Sequence, residues 1–344
     1  MTRPTASLSL DLDNLWAYQM THGDPGWEKL GSYLDEVVPI ALDFLAARQL
    51  TVTFFVVGKD AAVEANRPVL SSIAGAGHEI GNHSFHHRPW LHQLSEADVW
   101  SELTDAEDAI ADATGQRPRG FRGPGYSLSP ATLRVLVQRG YAYDCSTLPT
   151  FIGPLARAYY FRSTRLEPGQ NDERRLLFGS WTEGLRPLEP YRWSVGDSTV
   201  VEVPVTTFPL LRVPIHISYL LYLDGVHPQL ASAYFRCALR TCALLGVGPS
   251  ILLHPLDFLG VDDVASLEFF PGMGMSGAYK RERVGELIDL FSARFDVGGL
   301  GRHIERLGAA DGPLLDGEES APEPSVAAAL RRLRGRWRRE RSHA

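Results

Sequence analysis

The feature of this sequence that most restricts its fold is a repeated alternation of short β-branched or aromatic runs with longer runs of helical period. Ser7 to Leu12 reads as a strand, and Tyr33 to Arg48 then places Leu34, Val37, Val38, Ala41, Leu42 and Leu45 on one helical face. Thr51 to Val57 (TVTFFVV) has the composition of a buried strand. Pro68 to Ala76 reads as a helix that stops at Gly77, ahead of a strand at His78 to Gly81. Ser95 opens a further helix as its N-cap, with Asp98 three residues on, and Gly115 ends it after Thr114. A strand at Arg119 to Arg122, a helix at Ala131 to Arg139 and a strand at Tyr141 to Cys145 follow. After a long excursion come a helix at Pro228 to Leu245, a strand at Ser250 to His254 and a helix at Tyr279 to Phe295. Repeated β-then-α units predict a parallel sheet covered by helices, either open or closed into a barrel.

At 344 residues the chain has the length of about two average domains or of one large α/β barrel. A body of net charge −7 carries no general attraction for nucleic acid. Cys145, Cys237 and Cys242 are odd in number and form no CxxC pair, which points to a reducing compartment. Met1 to Leu10 lack the pattern of a signal peptide, and no run reaches 18 apolar residues, so the expectation is a cytoplasmic enzyme or binding protein. Residues from Thr150 to about His227 break the β-α rhythm with seven prolines among aromatics, and read as an insertion within a domain spanning 1–309. Residues 310–344 read as a flexible acidic linker followed by seven arginines around Trp337. A solvated tail and a basic segment in peripheral contact with anionic lipid headgroups are both open for that end. Oligomeric state is not legible.

Four places concentrate chemistry. Asp11-Leu12-Asp13 ends the first predicted strand, so the two carboxylates share a face and repel unless a proton, cation or water relieves them. An Asp-rich turn before Asn14 and a metal ligand paired with a general base both account for it. His83-Ser84-Phe85-His86-His87 follows, in a stretch where five of eleven histidines lie between positions 78 and 92. One helical turn would set His83 and His87 on the same side, where two imidazoles and a carboxylate suit zinc and leave coordination positions open. Arg122-Gly123-Pro124-Gly125-Tyr126 offers a cation to hold a carboxylate ionised, and a peptide N–H near Tyr126 as an oxyanion donor. Finally, the apolar run Ile251-Leu252-Leu253 ends in His254, at the strand end where α/β barrels place catalytic groups.

These motifs, in this order, resemble the polysaccharide deacetylase family (NodB homology, carbohydrate esterase family 4), with His83 to His87 matching its His-Ser/Thr-x-x-His motif in full. The Asp-x-Asp spacing resembles the intracellular branch, whereas the usual first motif has adjacent aspartates followed by glycine. The resemblance implies a distorted seven-stranded (β/α) barrel with a large insertion before the last catalytic strand. It also implies a divalent metal, zinc foremost, on Asp13, His83 and His87, with Asp11 as general base and Arg122 as its partner. Tyr126 would supply the oxyanion donor, His254 the general acid, and Asp144 the support for His254, with Asp257 as runner-up. The implied reaction removes an N-acetyl or similar acyl group from an amino sugar in a glycoconjugate, lipid-linked or small-molecule substrate. A deformylase or other amide hydrolase and a non-catalytic carbohydrate-binding protein are the alternatives. Trp16, Tyr18, Trp27, Trp90, Trp181, Tyr191 and Trp193 are candidates to stack on sugar rings, or else core residues.

Overall fold

The computed structural model describes residues 3–153, 181–270, 272–307 and 313–317. Its centre is a ring of seven parallel strands. These are β1 (Thr5–Leu12), β2 (Thr53–Val56), β3 (Glu79–Asn82), β4 (Gly120–Phe121), β5 (Tyr143–Asp144), β7 (Ser198–Glu202) and β8 (Ser250–Leu253). They stand in the order β7-β5-β4-β3-β2-β1-β8. The chain beyond β7 closes the ring, where Thr206 donates its N–H to the Ser250 carbonyl at 2.9 Å and Ser250 N–H returns to Thr206 Oγ1 at 2.8 Å. The expected seven-stranded barrel is therefore the observed one. Two further strands, β6 (Tyr191–Val195) and β10 (Leu314–Asp316), extend the sheet outward from β7, and β9 (Asp296–Gly298) pairs with the start of β1.

Local sequence explains the elements. Ala6, Leu8, Leu10 and Leu12 of β1 face the helical layer, and nothing in the strand beyond Thr5 is exposed, as expected of a strand covered on both faces. The helix Glu96–Thr114 starts where Ser95 Oγ accepts the Asp98 N–H and ends at Gly115, whose φ of +73° suits a residue without Cβ. Pro228–Leu245 is a helix over the predicted bounds.

Two organisational expectations change. The segment 150–227 is not wholly an insertion, since β7 within it supplies one wall of the barrel and β6 pairs antiparallel with β7. Hairpin formation there was masked by prolines at 187, 190 and 204, which lie outside the strands. The predicted acidic linker also contributes structure: Leu314–Asp316 pairs in parallel with Arg192–Ser194, which fixes the chain there by backbone hydrogen bonds. Residues 154–180 and the arginine-rich segment lie outside the described residues. Among the described residues no helix is long and apolar enough to cross a membrane.

Candidate metal centre

The motifs at the C-terminal ends of β1, β3, β4 and β8 share one mouth of the barrel because these strands run parallel. Asp11 is the penultimate residue of β1 and Asp13 lies one residue past it. Asn14, not an aspartate, caps the following helix Leu15–His22 by accepting the Leu15 N–H at 2.8 Å. Asp13 is thus left free for other work, its carbonyl held by the Tyr33 hydroxyl at 2.5 Å.

Asp13 Oδ1 lies 2.9 Å from His87 Nε2 and 3.3 Å from His83 Nε2, and the three donor atoms fall within 4.8 Å of one another. His83 Nδ1 sits 2.6 Å from the Arg122 carbonyl, which can only accept, so the ring proton is on Nδ1 and the Nε2 lone pair faces the carboxylate. Two acceptors at that distance repel unless a cation lies between them. Asp13 Oδ1 and both ring nitrogens of His87 are buried without a hydrogen-bond partner. Orphaned acceptors converging on one point are what a divalent ion would satisfy, and one carboxylate with two imidazoles is a donor set suited to zinc.

The histidine pair does not sit on a helical turn. Ser84 and His87 adopt φ of +61° and +51°, a left-handed backbone that side-chain-bearing residues rarely take. Glu102 of the helix Glu96–Thr114 holds this loop, accepting the N–H groups of Phe85 at 3.1 Å and His86 at 2.9 Å and facing His86 Nδ1 at 2.7 Å. Asn82 Oδ1 accepts the Ser84 N–H at 2.8 Å, and Ser84 Oγ accepts the His87 N–H at 3.1 Å. The residues between the two histidines are thus locked by Glu102 and Asn82, which the motif does not contain, together with its own Ser84.

Arg122 fills the barrel beneath Asp11. Its Nη1 donates to Asp11 Oδ1 at 2.5 Å and Ser9 Oγ at 2.8 Å, its Nε donates to the Cys145 carbonyl at 3.2 Å, and its guanidinium lies 4.4 Å over the Phe55 ring. Burial opposes its charge, but Asp11 together with the neighbouring Cys145 and Tyr126 more than offsets burial and raises its pKa. The Asp11 carboxylate is thereby held in one orientation at the mouth.

Tyr126 departs from expectation. Its N–H is already donated to the Gly123 carbonyl at 3.0 Å, because Gly125 and Tyr126 turn left-handed at φ of +59° and +62°. The peptide group is not presented as an oxyanion donor. The phenol instead shares the electrostatic field of Asp11, Arg122 and Asp13, and burial together with Asp11 pushes it up so that it keeps its proton.

Asp144 is a second correction. It accepts Ser146 Oγ–H at 2.6 Å, and burial and then Glu202 push its carboxyl well up. The support of His254 is the runner-up, Asp257, acting through Ser218. Ser218 Oγ donates to Asp257 Oδ1 at 2.8 Å, so its lone pair accepts His254 Nδ1–H at 3.0 Å, and Asp257 Oδ2 accepts the His254 N–H at 2.7 Å. Ser218 carries no motif signal, because it reaches the site on the helix Ile217–Val226 from a segment read as insertion.

Sequence reading also missed Asp60. Asn14 Nδ2 and Trp16 Nε1 donate to its Oδ1 at 2.8 and 2.9 Å, and burial pushes it up to about 6. Trp16 in turn stands edge-on to His87, with ring centroids 6.3 Å apart, and stacks on Trp27 at 5.8 Å. Of the proposed aromatic contacts, Tyr191 and Trp193 are core residues of β6, whereas Trp27 and Trp90 are half-buried beside Trp16.

Comparison with known proteins agrees with this geometry. The polysaccharide deacetylase family model matches residues 24–143, a stretch carrying His83, His87, Arg122 and Tyr126. Uncharacterized protein YlxY of Bacillus subtilis is 31% identical over 107 residues, which is 31% of each chain. The peptidoglycan deacetylase of Helicobacter pylori is 30% identical over 135 residues, 38% of this chain and 43% of that protein. The aligned stretches therefore span less than half the length of these relatives. A crystal structure from Mycobacterium smegmatis, assigned as a polysaccharide deacetylase, shares the fold at 21% identity with a TM-score of 0.58, over 93% of this chain and 96% of that one. By matched segment, residues 24–143 are similar to the polysaccharide deacetylase family, and the barrel has the fold of the Mycobacterium smegmatis structure.

Proposed function

We propose that this protein is a metal-dependent hydrolase that removes an N-acetyl group from an amino sugar. The observation that carries the reading is the convergence of Asp13, His83 and His87 beside an arginine-held Asp11. A divalent ion bound by those three residues, zinc by the character of the donors, would supply Lewis acidity and a more acidic water.

Asp11 acts as general base, taking the proton of the attacking water, and Arg122 fixes the orientation of its carboxylate. His254 delivers a proton to the departing nitrogen, since an amine anion is too basic to leave unaided. Ser218 and Asp257 orient its ring and set which nitrogen faces the substrate. The products are acetate and a free amino group. The half-buried indoles Trp27 and Trp90 beside Trp16 and His87 support a sugar ring as the group held next to the reacting amide. The peptidoglycan deacetylase likeness supports the same substrate class, an N-acetylated amino sugar.

The test is acetate release from a panel of N-acetylated amino sugars by zinc-loaded and chelated protein. Asp11→Asn is expected to keep its metal and lose at least about a hundredfold in turnover, the scale of removing one catalytic group. Full turnover by Asp11→Asn, or activity indifferent to chelation, would falsify the mechanism.

A further inference from the structure

We infer that His216 is a second histidine of the reaction centre, presenting a fixed Nε2–H to an oxygen acceptor of the substrate beside His254. The inference rests on the hydrolase reading and adds a residue that no motif supplies.

His216 is the N-cap of the helix Ile217–Val226, and its Nδ1 accepts the Tyr219 N–H at 3.4 Å. A backbone N–H can only donate, so Nδ1 holds a lone pair and the proton of the neutral ring is on Nε2. The ring stands 6.4 Å from that of His254, at 77°. His254 has the opposite arrangement: its Nδ1–H is donated to Ser218, two residues beyond His216 on the same helix turn. The cap that starts this helix therefore also sets the residue that orients the proposed acid.

The two imidazoles divide the labour. His254, its Nδ1–H given to Ser218, delivers from Nε2 the second proton of its imidazolium form. His216 cannot serve that purpose, because burial and then the neighbouring His254 push it down to about 3 and keep it neutral. A neutral ring with its Nδ1 occupied is a pure donor at Nε2, and that nitrogen has no hydrogen-bond partner among the described residues. The residue is half-buried rather than sealed. The chemistry it recognises is a hydroxyl or ether oxygen, the acceptor that sugar rings carry next to the amide-bearing carbon. An ammonium group, which has no acceptor, would gain nothing from an N–H donor.

Two substitutions separate the cap from the donor. His216→Ser keeps a good N-cap and removes the Nε2–H, whereas His216→Gln keeps a side-chain N–H and gives up the cap. With the N-acetylated sugar cleaved fastest by the wild-type enzyme, His216→Ser is expected to retain its Tm while kcat/KM falls about tenfold through KM. His216→Gln is expected to lose Tm yet retain more of kcat/KM than the serine variant. Wild-type kcat/KM in His216→Ser, or a kcat/KM that simply follows Tm in both variants, overturns the inference. Long-range 1H–15N spectra give a readout independent of turnover: the ring proton is expected on Nε2, and a proton on Nδ1 overturns the assignment. Absence of acetate release from the wild-type enzyme would instead refute the hydrolase reading, and the role of His216 with it.

Discussion

Arg122 and Asp11 form an ion pair across 2.5 Å inside the barrel, both almost entirely shielded from water. A pair of this kind is costly to split, because the remaining charge has neither solvent nor partner; removing one member typically costs about 3–5 kcal/mol. Arg122→Met is expected to lower the urea midpoint sharply and to reduce turnover by at least about a hundredfold, since Asp11 loses both its orientation and its charge partner. Metal analysis of the same variant is expected to show the ion retained, because the guanidinium touches none of Asp13, His83 or His87.

Glu102 makes a separate demand on stability and on the metal. It accepts two backbone N–H groups and faces the His86 ring, in the loop joining the two ligand histidines. Glu102→Ala leaves buried donors unsatisfied, at about 1–3 kcal/mol each. The expected outcome is a weakened zinc affinity with all three ligands intact, read by competition with a chelating dye. An unchanged affinity would mean that the left-handed turns at Ser84 and His87 hold themselves.

The relay behind His254 gives a contrast between two aspartates. Asp257→Asn places an amide where both oxygens now accept hydrogen bonds, from Ser218 and from the His254 N–H, and turnover is expected to fall at least about tenfold. Burial and then Glu202 push the Asp144 carboxyl well up, and its side chain faces Ser146 rather than His254, so Asp144→Asn is expected to keep turnover within about threefold. Equal losses in the two variants would restore Asp144 as the support of the acid.

His303 predicts a pH dependence far from the mouth. It is fully buried, with Nδ1 2.8 Å from Ser7 Oγ, and burial lowers its pKa to about 4. As pH falls from about 6.5 toward about 4, the unfolded chain takes up this proton before the folded one, so stability declines with acidification. The full effect is about 3 kcal/mol, reached near pH 4 and absent above pH 7. His303→Gln is expected to flatten the slope of urea midpoint against pH across that window, whatever it does to the absolute stability.

Much of this was legible because the informative residues stand in contiguous motifs at strand ends. Asp11, Asp13, His83, His87, Arg122 and His254 announced themselves by type and spacing, and the structure places them at one mouth. What escaped was whatever reaches the site from the side. Glu102, Ser218 and Asp60 are single polar residues in unremarkable surroundings, and their contacts exist only once the helices pack. The reading of Tyr126 as an oxyanion donor failed for a different reason. A peptide N–H is available only if the local turn leaves it so, and the turn at Gly123 to Tyr126 consumes it. The histidine pair succeeded on a wrong premise: spacing of four suits a helix, yet a left-handed loop achieves the same convergence.

The seam between β7 and β8 has a consequence for motion. Residue pairs in register join the other neighbouring strands of the barrel, but among the described residues this wall is shut by the exchange between Thr206 and Ser250. His216 and Ser218 follow one bank of that seam, and His254 follows the other. Slight breathing of the wall would therefore shift the proton donor relative to its orienting hydroxyl, while the carboxylate and imidazoles anchored on β1 and β3 stayed still. Acid delivery and ion binding are, in this architecture, mechanically separable.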